Sequence, residues 1–176
     1  MSHSDDYFRS PPPRRIGVLA LLREESSGGV LVVNKLYRRD RAPHSWGLVG
    51  GSVEAGELPR AAWQREVAGE TGLHLRPGRL LAVDYVPATE AGAEGYNRVY
   101  DGGTIAPGTE IVLPDELAEY RFILPEALDL YLTAHGVRRT LAALEALATG
   151  TTADLVHGYP ATEYPGPREP VDGSTA

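Results

Sequence analysis

The stretch GGSVEAGELPRAAWQREVAGETGL, Gly50 to Leu73, constrains this chain more than any other part of it. It begins on paired glycines that close the apolar run SWGLVGGSV (45–53), which reads as a short strand. Pro59 suits the first turn of a helix, where its missing N–H costs nothing, and Gly72 suits the position just past a helix end. Leu58 offers no side-chain cap, so proline alone signals the start. The pattern predicts a helix over 59–70, and its periodicity stacks Glu66 and Glu70, four apart, on one face. Stacked carboxylates repel unless positive charge sits between them. Arg65 relieves part of that, and a hard cation with oxygen ligands relieves more. Mg²⁺ is held in this way, by one or two carboxylates, waters and substrate phosphates. A solvated helix face is the commoner reason for such a pair, so the spacing of the whole stretch has to decide.

The flanks predict the rest of the architecture. IGVLALL (16–22) and GVLVVNKL (29–36), parted by the turn-like REESSG, read as two strands near the centre of a sheet. RLLAVDYVP (79–87), NRVYDGGTI (97–105) and EYRFIL (119–124) read as further strands. PEALDLYL and GVRRTLAALEALATG read as helical, the second with Leu141, Leu144 and Leu147 at core-like spacing. Residues 1–14 are polar and proline-rich and are expected to form a flexible arm, ahead of one domain over 15–150. From 151 to 176 apolar periodicity is lost and prolines accumulate, which predicts a flexible or draped tail. Strands, a helix, more strands and then helices predict an α/β fold with a mixed sheet and helices on its faces.

Composition removes several function classes. The net charge is −7 with no basic stripe, which argues against a nucleic-acid polymer as partner. A small phosphorylated substrate stays open if divalent cations supply the positive charge. The absence of cysteine excludes disulfides, thiolate zinc sites and cysteine nucleophiles. The longest clean apolar run is too short to cross a membrane, so no membrane partner is expected. MSHSDDYFRSPPPRR lacks a signal-peptide pattern, so the expected location is cytoplasmic.

The spacing from Gly51 onward resembles the signature of the Nudix hydrolase family. That signature is a glycine, five residues, a glutamate, seven residues, then Arg-Glu-aliphatic-any-Glu-Glu-any-Gly-aliphatic. Gly51 opens it, Glu57 follows after five residues, and Arg65-Glu66-Val67-Ala68-Gly69-Glu70-Thr71-Gly72-Leu73 completes it. One defined position departs: Gly69 stands where the family usually has the first of its adjacent glutamates. The resemblance implies an α/β/α sandwich with a mixed β-sheet. It also implies hydrolysis, with Mg²⁺ or Mn²⁺, of a diphosphate linkage in a nucleoside diphosphate derivative such as ADP-ribose or a nucleotide sugar. Under it, the Gly51 carbonyl, Glu66 and Glu70 are metal ligands, Glu66 and Glu70 are catalytic, and Glu57 and Arg65 brace the loop and helix. Relatives often supply a further acid from the loop before the last strand. LPDELAEYRF occupies that place, with Glu116 the best match and Asp115 and Glu119 behind it. Homodimers are common in the family, although nothing in this sequence demands one.

Substrate contacts are expected from Arg38 and Arg39, which could grip phosphate oxygens bidentately. Trp46 and Tyr85, among a wider set with Tyr37, Tyr96 and Tyr100, could stack on a base. Positions 66, 69 and 70 share one arc of about 100° on the helix, so Gly69 removes a carboxylate from the metal face. That predicts a weaker second metal site. Two readings follow: an active pyrophosphohydrolase, or a catalytically weakened Nudix domain that binds a nucleotide or metabolite as a regulatory module.

Overall fold

The computed structural model describes residues 11, 13–37, 45–89 and 92–166. Among these, eight strands form one mixed sheet: β1 (Arg15–Glu24), β2 (Val30–Lys35), β3 (Trp46–Ser52), β4 (Leu80–Val86), β5 (Gly95–Ile105), β6 (Leu117–Ile123), β7 (Ala153–Val156) and β8 (Tyr159–Pro160). Their order across the sheet is β6-β2-β3-β1-β5-β4-β7-β8. β1 lies at the centre, parallel to β5 and antiparallel to β3. Val30 to Val33 of β2 are fully buried. Such unbroken apolar runs belong to strands covered on both faces.

Two helices supply the cover. Helix α1 (Pro59–Thr71) starts at Pro59 without a side-chain cap and stops at Gly72, whose φ of 73° closes the last turn. It buries Ala62, Trp63 and Val67 against Val18, Ala20, Leu31, Val33 and Val49. Helix α2 (Ala134–Thr149), capped by Thr133, covers the opposite face together with the 3-10 helix Pro125–Leu130. Its buried residues are Arg139, Thr140, Ala143 and Ala146. The expected leucine stripe is therefore shifted: Leu144 and Leu147 flank the core, and Leu141 is 41% exposed. Small residues on the facing stripe let the helix approach the sheet closely, and the leucines fill the margins. The α/β/α sandwich with a mixed sheet expected from the sequence is the fold observed.

Beyond Gly150 the chain returns to the sheet. β7 pairs in parallel with β4, and β8 turns back along β7. His157 sits between them in a left-handed conformation, and its N–H donates to the Tyr85 carbonyl at 2.7 Å. Among the described residues no helix is long and apolar enough to cross a membrane.

Candidate active site

The paired glycines set the geometry. At Gly50, φ is +133°, and an added Cβ would lie 2.1 Å from the Val18 carbonyl oxygen. An added Cβ at Gly51 would lie 2.5 Å from Cδ and both oxygens of Glu66. The Glu66 carboxylate therefore rests on bare backbone at the end of β3, an approach that any side chain at 51 would block.

Arg65 fixes that arrangement from outside. Its Nε and Nη2 each donate at 2.9 Å to the two oxygens of Glu57, a bidentate pairing. Its Nη1 donates to Glu66 Oε1 at 2.7 Å, and Nη2 also reaches the Ser52 carbonyl at 2.9 Å. The Arg65 hydrogen bonds, with the Glu54 N–H, hold the Glu57 carboxyl down at about 2, and the two glutamates push Arg65 upward. One guanidinium thus ties strand end, loop and helix together, the brace expected from the motif.

Glu70 faces inward. It is 4% exposed; its Oε1 accepts from Lys35 Nζ at 2.8 Å and its Oε2 from the Gly50 N–H at 2.7 Å. Lys35, 2% exposed, also donates to the Gly50 carbonyl at 2.5 Å. Burial pushes the Glu70 carboxyl up, against the pull of Lys35 and the Gly50 N–H. Gly50 is thereby held through both its N–H and its C=O. Gly69 is exposed, and an added Cβ there would meet nothing within 4 Å, so packing does not require a glycine.

This corner opens into a cavity of about 720 Å³ that runs along the α2 face of the sheet. Gly50, Gly51, Ser52 and Lys35 line one part, and Thr133, His135, Gly136, Arg139 and His157 line another. The formally charged groups among its described lining residues are Arg15, Lys35 and Arg139, all positive, in a chain of net charge −7.

The other expected residues are distributed unevenly. Trp46 lines the cavity, edge-on to Tyr131 with centroids 5.3 Å apart. Tyr85 does not line it: strand alternation sends Asp84 inward and Tyr85 to the other face. There its hydroxyl donates to Glu94 at 2.5 Å and its ring packs 5.4 Å from Tyr96. Glu116 is exposed and is not among the cavity's lining residues; its carbonyl accepts from the Leu36 N–H, beside the Lys35–Leu117 pairing. Arg38 and Arg39 lie outside the described residues. Lys35, Asp84, Arg139 and His157 were not expected. A single charge inside VLVVNKL or LLAVDYV was the available signal, because a charge in a fully covered strand demands a partner.

The donor set suits a hard divalent cation. The Glu66 carboxylate offers hard oxygen donors against the Gly51 backbone, the ligand type that Mg²⁺ or Mn²⁺ requires. Both Glu70 oxygens are engaged within the protein, and no cluster of three or more acidic or histidine side chains suited to a metal occurs among the described residues. The arrangement fits an ion whose remaining ligands are water and substrate phosphate.

A sequence model of the NUDIX domain matches residues 12–144. The nucleoside triphosphatase NudI of Salmonella heidelberg (strain SL476) is 28% identical, over 67% of this chain and 89% of NudI. Among solved structures, the MutT protein of Methanosarcina mazei Go1 aligns with a TM-score of 0.64 at 24% identity, covering 78% of this chain and 97% of that one. The NUDIX domain of Shewanella oneidensis NrtR, complexed with ADP ribose, aligns with a TM-score of 0.60 at 17% identity, covering 83% and 99%. These two likenesses show the fold, and the domain match over most of the chain shows the lineage. By that match the chain belongs to the Nudix hydrolase family.

Proposed function

We propose that this Nudix-type pyrophosphohydrolase cleaves a diphosphate linkage in a nucleoside diphosphate derivative, with Mg²⁺ or Mn²⁺ held by Glu66 and the Gly51 carbonyl. The observation that carries the reading is the cavity, whose described lining holds no acidic side chain and includes Gly51, against which the Glu66 carboxylate rests. A lining without carboxylates leaves room for phosphate, and the cation of Arg15 favours it. A bound divalent ion supplies Lewis acidity toward phosphoryl oxygens and a more acidic water. The chain's own groups do the rest. Arg65 aims the Glu66 carboxylate, which accepts the proton of the attacking water. Lys35 and the Gly50–Gly51 backbone fix the floor beneath the reacting phosphate. Trp46 stacks on the attached nucleoside, and Glu116, beside the end of the strand that carries Lys35, is the candidate further acid.

The relatives favour a phosphoanhydride without choosing one, since NudI is a nucleoside triphosphatase and the NrtR domain is complexed with ADP ribose. A panel of nucleoside diphosphate sugars, dinucleotides and nucleoside triphosphates, with Mg²⁺ or Mn²⁺, tests the reading. Release of a phosphate-bearing product from at least one class is expected, and no product from any class overturns it.

Gly69 and the internal engagement of Glu70 favour a second reading, a weakened domain that binds and reports a nucleotide. Calorimetry would then register binding without turnover, insensitive to Glu70→Gln.

A further inference from the structure

The α2 side of the cavity holds a second constellation that the motif does not use. Asp84 on β4 is fully buried; its Oδ2 accepts from Arg139 Nε at 2.5 Å and its Oδ1 from the Gly158 N–H at 2.9 Å. Arg139 is 8% exposed and lines the cavity. Its Nη2 is buried without a partner, and among the described residues no hydrogen bond uses Nη1. The guanidinium is therefore fixed through Nε with both terminal donors unspent, and an unpaired buried donor is a standing cost that a bound acceptor removes. Around it stand the Asn97 and Thr140 side chains, Leu132, and the stacked rings of His135 and His157, centroids 4.5 Å apart.

Asp84 cancels the charge of Arg139. A neutral pair among partly apolar walls suits a neutral acceptor better than another phosphate, whose desolvation would need net positive charge. Arginine has only donors. Its terminal pair matches a purine edge that presents two adjacent acceptors, as O6 and N7 of guanine do, and meets the N6 amino group of adenine donor to donor.

We propose that Arg139, held in place by Asp84, reads the nucleobase of the substrate and selects guanine over adenine. The inference rests on the reading above, in which the diphosphate lies at the Gly51–Glu66 end of the cavity.

Trp46 lines the same cavity, so quenching of its fluorescence reports binding of GMP and AMP without metal or turnover. GMP is expected to bind about tenfold or more tightly than AMP, about 1.4 kcal/mol of discrimination. Arg139→Lys keeps a cation beside Asp84 but gives up the fork. The double variant Asp84→Asn with Arg139→Gln removes both charges, so neither is left buried alone. In both variants, with thermal melting confirming the fold, the preference should collapse to about twofold or less. Equal binding of GMP and AMP, binding of neither, or a preference that survives in both variants overturns the proposal. Hydrolysis of the diphosphate panel without base preference would sink this inference and leave the proposed function standing. Arg139-dependent base preference without hydrolysis would do the reverse.

Discussion

Replacing Lys35 by methionine keeps the length of the stem and deletes the ammonium. The wild-type Nζ makes two charge-assisted bonds, 2.5 Å to the Gly50 carbonyl and 2.8 Å to Glu70 Oε1, at a site where the Lys35 and Glu70 side chains are 2% and 5% exposed. The variant leaves a buried carboxylate with the Gly50 N–H as its remaining bond. Removing one partner of a buried pair costs about 3–5 kcal/mol. Counting two lost charge-assisted bonds at about 1.5–3 kcal/mol each gives a similar figure. For a chain of this size each kcal/mol lowers Tm by about 2–4 °C, so Lys35→Met should melt about 6–20 °C below wild type by circular dichroism. The Lys35→Met, Glu70→Gln double variant buries no charge and should recover most of the loss. Mn²⁺ should raise the melting point of Lys35→Met more than that of wild type, because Glu70 is then free to meet a cation. A single variant melting within about 2 °C of wild type would refute the reasoning. So would a double variant as unstable as the single one.

Three further outcomes are expected. Gly69→Glu enters open space on an exposed helix position, so it should leave the fold intact and tighten Mn²⁺ binding in a titration followed by electron paramagnetic resonance; unchanged affinity would mean that Gly69 is not a missing ligand. Gly51→Ala places a Cβ 2.5 Å from the Glu66 carboxyl atoms, and displacing that group should lower kcat by about 100-fold or more, whereas full activity would detach Glu66 from the chemistry. The Glu57 carboxyl sits at about 2 in the folded protein against an ordinary 4.5, so its stabilising contribution is complete above pH 4.5 and fades as pH falls toward 2. The melting difference between wild type and Glu57→Gln should narrow across that window, and a difference independent of pH would contradict the Arg65 pairing.

What could be read from the sequence was local. Pro59 and Gly72 delimit α1, and the Glu57–Arg65 brace spans eight residues within one loop and helix, so spacing alone brings its members together. The Lys35–Glu70 and Asp84–Arg139 pairs join residues 35 and 55 positions apart, and only the order of strands across the sheet makes them neighbours. Tyr85 illustrates a different limit. Alternation along β4 is certain, but which face meets the cavity depends on where α2 docks. The four residues of β7 are too few to show a period, and they pair with β4 because the end of α2 delivers them to that edge. Leu141, Leu144 and Leu147 mark the right helix, while the alanines set how closely it packs.

Glu66→Gln tests the central claim most directly. The amide keeps the side chain's volume and an acceptor for Arg65 Nη1, and removes the negative charge above Gly51. On the best substrate of the diphosphate panel the account predicts that kcat falls about 10²–10⁴-fold, while nucleotide binding followed by Trp46 fluorescence stays at the wild-type level. Turnover that survives the substitution would contradict the assignment of Glu66, and with it the account of what this corner of the fold does.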